Sequence, residues 1–215
     1  MRIAAWVCAA LMLGGCNFVT SPKSLFFAKD AKGQPQLKPG IWMDEKAGCT
    51  IDPSQPLAKW PDCSDAWVVR PDEILAAREA DKPAKASSAW TPYKIVLARG
   101  DPAVLQVEVG NDGDLQLGYV YGGLRPLKLD AQGRVIEYKL WPALCGPPPA
   151  EPTDTKGGFV TRHPIEGLKV DEKLQDCVAS AQGPVQASVK LSEAWNDKDD
   201  NEGRDRARWV REGEE

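Results

Sequence analysis

Hydrophobic and polar positions change rhythm three times along this chain, and each rhythm predicts a different element. The first is an unbroken apolar run at residues 3–13 (IAAWVCAALML), behind the lone charge of Arg2. Its length suits the core of a secretory signal, which needs about 7–15 apolar residues. It falls short of the roughly 20 that cross a bilayer as a helix. The second rhythm is alternation between residues 93 and 141. Strands are predicted at 93–98 (YKIVLA), 103–109 (AVLQVEV), 115–121 (LQLGYVY), 124–129 (LRPLKL) and 135–141 (VIEYKLW). Val107 and Val109 alternate with Gln106 and Glu108, so one face of that strand is expected to be buried. Gly100-Asp101-Pro102, Asn111-Asp112-Gly113-Asp114 and Asp130-Ala131-Gln132-Gly133 supply turns, the second a strong hairpin signal. Pro126 confines its strand to an edge or an interruption. The third rhythm is helical. Val185, Val189, Leu191, Ala194 and Trp195 recur behind a capping Ser180, with Gly183-Pro184 in the first turn. A last strand is predicted at 207–211 (ARWVR).

Short connections between consecutive strands make an antiparallel meander. The expected fold is mainly β: a meander forming a barrel or curved sheet, with one C-terminal helix and a last strand.

The remaining chain is less periodic. Residues 17–24 are mixed in character and broken by Pro22, which predicts a tether. Leu25-Phe26-Phe27 then reads as an arm docking onto the domain, or as an exposed partner-binding patch. Lys38-Pro39-Gly40-Ile41-Trp42 opens the folded part. Residues 49–63 hold Asp52-Pro53, Gln55-Pro56 and Trp60-Pro61, and so many prolines exclude a helix or a central strand. Residues 66–70 (AWVVR) predict a strand. Residues 71–80 (PDEILAAREA) predict a helix opened by Pro71, or a turn with a short strand at 73–75. Residues 81–88 and 145–158 are loops, 159–162 and 168–170 short strands, and 196–205 a charged connection. The expected organisation is a signal at 1–15, an N-terminal segment and tether at 16–38, and one β-rich domain at 39–215.

Leu13-Gly14-Gly15-Cys16 closes the apolar run with an aliphatic residue, two small residues and a cysteine. This resembles the lipobox of bacterial lipoproteins. The resemblance implies cleavage before Cys16 and lipid, palmitate included, on its thiol. Asn17, rather than aspartate, in second place implies the outer membrane, with the domain on its periplasmic face. Separately, Gly40-Ile41-Trp42 resembles the start of the first strand in lipocalins and related calycin barrels. There the tryptophan plugs one barrel end beneath a C-terminal arginine. A meander followed by a helix and a closing strand is also the lipocalin order.

Export changes how the six cysteines are read. Cys8 leaves with the signal and Cys16 takes lipid. Cys49, Cys63, Cys145 and Cys177 remain, and an even number in an oxidising compartment predicts disulfides. Three pairings are open; Cys49–Cys63 and Cys145–Cys177 are favoured as near neighbours. Closing loops of these sizes stabilises by roughly 3 and 3.7 kcal/mol in the chain-entropy model. No C-x-x-C spacing supports zinc. The net charge of −4, or −5 once Arg2 leaves, argues against nucleic acid.

No catalytic constellation emerges. His163 is the one histidine, it precedes a proline, and no G-x-S-x-G accompanies it. Residues 197–203 resemble a calcium loop, but the glycine comes one position late and Arg208 stands in place of the closing glutamate. No motif calls for a cofactor or a metal. Seven tryptophans survive processing, and most are expected to pack the core. Trp60 and Trp90, beside Pro61 and near Pro92, are the candidates for stacking sugars or lining an apolar site. The expected function is a non-enzymatic envelope protein that binds or scaffolds at the membrane. Its partners would be the membrane, through the lipid, and an envelope protein or small ligand. The alternatives are a calycin-like carrier of a small apolar ligand and a hydrolase of envelope polymers.

Overall fold

Alternation between residues 93 and 141 does produce a meander, seen in a computed structural model that describes residues 17–44, 48–61, 63–77, 90–112, 115–147, 161, 163–171, 176–196 and 206–214. Its strands are β5 (Trp90–Ala98), β6 (Ala103–Asp112), β7 (Leu115–Leu129) and β8 (Val135–Pro142). Two strands were expected across 115–129; one 15-residue strand, β7, takes their place. Pairing of β6 with β7 ends at Ala103 opposite Leu124. Beyond that point β7 is flanked by β8 alone, which leaves its other side open for a residue without an N–H. Pro126 sits there, opposite Tyr138, and the register slips between Pro126 and Lys128.

Four more strands complete a ring: β2 (Gly40–Asp44), β3 (Ala66–Val69), β4 (Glu73–Ala77) and β11 (Arg206–Arg211). The order β6-β5-β4-β3-β2-β11-β8-β7 closes through β6–β7 pairing, giving an eight-stranded antiparallel barrel. For residues 71–80 the strand alternative holds. Ile74 and Leu75 are both buried, on opposite faces of β4, because the barrel lies on one side and a covering loop on the other. Register sets the barrel interior. Trp42 opposes Trp67, Val69 opposes Ile74, Leu97 opposes Leu105, and Ala207 opposes Tyr138. These side chains join Leu124 and Val135 in one packed cluster. Trp42 and Tyr138 meet at 5.0 Å between ring centroids.

Gly40 makes the entry into β2 possible. Its φ is +129°, and a Cβ there would run into the carbonyl oxygen of Arg211 and lie 2.9 Å from Trp209 Nε1. The Trp42 indole donates to the Lys38 carbonyl at 2.8 Å. The Lys38 ammonium lies 3.4 Å from the centroid of the Trp209 ring.

Two layers cover the outside of the barrel. The loop closed by Cys49–Cys63 lays Trp60 over Ile41, Val68 and Leu75 on β2–β4. On the other flank lie the helix α1 (Gln182–Asn196) and three short strands, β1 (Val19–Ser21), β9 (Leu168–Asp171) and β10 (Asp176–Ala179). This layer buries Val19, Cys177, Val185 and Val189 with Tyr121 and Trp141 of the barrel. The Trp141 indole donates to the Val189 carbonyl at 2.9 Å. Arg125 of β7 grips Glu193 of α1 with two hydrogen bonds, at 2.6 and 2.8 Å.

Three local expectations change. Residues 17–24 are no tether: β1 pairs with β10 in parallel and with β7 in antiparallel fashion. Gln106 was expected on a solvated face, yet it is buried, because the arm at 25–27 docks over it. Its amide accepts the N–H groups of Leu25 and Phe26 and donates to the Phe26 carbonyl. Phe26 is accordingly buried while Phe27 stays exposed. In α1 the buried face is Val185, Ser188, Val189 and Ser192, whereas Leu191 is exposed. Both serine hydroxyls hold Leu144, Ser188 donating to its carbonyl and Ser192 accepting its N–H. Helix α1 starts two residues after Ser180, whose hydroxyl makes no hydrogen bond among the described residues.

Candidate functional site

Cys16 lies outside the described residues, but its neighbour Asn17 shows where the N-terminal segment attaches. Asn17 adopts a left-handed φ of 51°, which asparagine accepts more readily than most residues. It is buried, and its side-chain amide faces both ways. Nδ2 donates to the Gly146 carbonyl at 3.3 Å, and Oδ1 accepts the Thr161 N–H at 3.1 Å. Its own carbonyl accepts from Cys145 N–H at 2.7 Å. The next residues continue the hold. Phe18 N–H donates to Asp176, Phe18 carbonyl accepts from Cys177, and Val19 N–H donates to Ala143.

The seat is braced by sulfur. Cys145 and Cys177 are disulfide-bonded, both fully buried, with Cα atoms 5.4 Å apart. The bridge joins the chain leaving β8 to β10, and β1 lies against both. Cys49 and Cys63 form the second disulfide, as favoured from spacing, with Cα atoms 5.8 Å apart. Asp176, beside Phe18, is buried, and that burial pushes its carboxyl up to about 6; Asp171, its partner in the β9–β10 register, adds to the rise.

A comparison of the chain with protein-family models, curated proteins and solved structures found no match. The site therefore stands on its own geometry.

Trp60 and Trp90 share one cluster outside the barrel. Trp60 is only 6% exposed, and its indole donates to the Gln55 carbonyl at 3.0 Å. No free ring face is left for stacking a sugar, so Trp60 serves as packing between loop and barrel. Trp90 opens β5, is half-buried, and packs against both this cluster and the barrel interior. For Trp60 the sequence context was ambiguous, because a proline-flanked tryptophan in a disulfide loop signals equally a flap that folds back.

His163 is exposed; its backbone N–H donates to Thr161 Oγ1, and its ring makes no hydrogen bond among the described residues. The calcium-like run at 197–203 and the predicted strand at 159–162, apart from Thr161, lie outside the described residues. Arg208 is in β11, opposite Met43. Among the described residues no helix is long and apolar enough to cross a membrane. The seat of Asn17 was missed from sequence, since its partners Gly146 and Thr161, and Asp176 that holds the next residue, Phe18, are more than a hundred residues away.

Proposed function

We propose that the protein is a bacterial envelope lipoprotein, anchored by acyl chains on Cys16 and held on the periplasmic face of the outer membrane as a non-enzymatic binding or scaffolding domain. The observation that carries this reading is the coincidence of two boundaries. The lipobox-like Leu13-Gly14-Gly15-Cys16 places the mature N-terminus at Cys16, and Asn17 is already locked into the fold by hydrogen bonds through its backbone and side chain. Signal and domain meet without a spacer. Lipid on Cys16 then lies within one residue, about 3.8 Å of Cα separation, of the folded body. Such a domain lies flush on the bilayer with one fixed face towards it. Acyl chains contribute about 0.8 kcal/mol per buried CH₂, so a multiply acylated cysteine holds the domain there firmly.

The calycin-like carrier draws support from the eight-stranded closed barrel. Against it stand Trp42, Trp67, Ile74, Leu105, Leu124 and Tyr138, which pack together inside the barrel where a carrier keeps its ligand.

Fractionation of cells expressing the wild type and Cys16→Ala tests the proposal. The wild type should take up radiolabelled palmitate and sediment with outer membranes, and the variant should do neither. Unchanged membrane association of the variant would overturn it.

A further inference from the structure

An open cleft of about 550 Å³ lies beside the start of α1. Its charge is opposite to that of the whole chain. Lys29, Lys32 and Arg99 line it against a single carboxylate, Asp30, in a protein of net charge −4. The cations come from two separate segments, the single 3₁₀ turn Ala28–Ala31 with its exit, and the turn after β5. Among the described residues none of the three forms an ion pair.

The walls are fixed. Buried Gln106 pins the backbone of Leu25 and Phe26. The Arg99 N–H donates to the Asp30 carbonyl at 2.8 Å. Asp30 accepts from the Phe27 N–H and from Gln182 Nε2, which also donates to the Leu25 carbonyl. Phe26, Gly33, and Gln182 and Gln186 of α1 complete the lining.

From this arrangement we infer that the cleft binds a phosphorylated sugar or polyol. Three cations outside any ion pair, Lys29 resting over the Phe27 ring, match a doubly charged phosphate monoester, and each charge-assisted hydrogen bond to it is stronger than a neutral one. The volume far exceeds a bare phosphate and falls in the range of small-molecule sites, about 300–1,000 Å³. Glutamine amides and the Asp30 carboxylate suit the hydroxyl groups of the remainder. The inference stands on the cleft alone and not on the lipid anchor.

Calorimetry on the mature protein in neutral detergent tests it, with glucose 1-phosphate, glucose and inorganic phosphate as probes. Glucose 1-phosphate should bind tightest, phosphate at least tenfold more weakly, and glucose weakest. Binding should weaken as salt is raised. The exposed substitutions Lys29→Ala and Arg99→Ala should each lower affinity about tenfold with unchanged circular dichroism. Cys16→Ala should bind like the wild type, which separates this result from the anchoring question. Glucose 1-phosphate that fails to bind, or binds Lys29→Ala/Arg99→Ala as well as the wild type, would overturn the inference. So would retention on phosphatidylglycerol vesicles without glucose 1-phosphate binding, which would assign the cations to a lipid surface instead.

Discussion

Asn17 meets three demands at once: a left-handed backbone, a buried donor for Gly146 and a buried acceptor for Thr161. Aspartate tolerates the backbone angle but has no N–H to give. Asn17→Asp should therefore leave the Gly146 carbonyl unsatisfied and cost about 1–3 kcal/mol. Thermal unfolding of the purified variant checks this; an unchanged midpoint would contradict the seat as described. The neighbouring Asp176 makes a pH-dependent contribution. Burial favours its neutral form, so its carboxyl titrates near 6 in the fold against an ordinary value of 3.8. The stability it contributes is complete below about pH 4 and lost as pH rises through 6. Asp176→Asn removes that loss. The variant's stability relative to the wild type should improve by about 1 kcal/mol between pH 5 and pH 7.5, read from denaturant unfolding at both values. An offset that does not change with pH would show that Asp176 does not titrate in this window.

Elements differ in how far the local sequence announces them. The strands of the meander were legible because alternation, turn residues and length agreed. Strand β4 was ambiguous because both its faces are covered, which erases alternation. Strands β1 and β10 were not legible. They are three and four residues long, and β1 forms by parallel pairing with a partner more than 150 residues away. Their polar residues, Thr20, Ser21 and Asp176, are buried only because the outer layer closes over them. The disulfides act on these same layers, one on each covered flank of the barrel. Cys63 is exposed, whereas Cys145 and Cys177 are fully buried. Under native conditions a thiol reductant should open Cys49–Cys63 first and reach Cys145–Cys177 only after unfolding. Timed alkylation with peptide mapping reads the order, and simultaneous release of all four thiols would contradict it.

At the scale of the whole molecule, the barrel is a filled support whose two outer flanks carry the covering layers. A barrel or a curved sheet was expected, and pairing of β6 with β7 closes it as a barrel of eight strands. The segment after Cys16 was expected to hang free as a tether. Its hydrogen bonds to Gly146, Thr161 and Asp176 bind it to the outer layer instead. A lipid on Cys16, as proposed, would together with this attachment determine how the domain faces the bilayer. The most direct test is intact mass analysis of the N-terminal peptide from protein isolated out of cell envelopes. The account predicts a peptide that starts at Cys16 and carries the mass of several acyl chains. A peptide that starts at any other residue, or one with an unmodified Cys16, would contradict it.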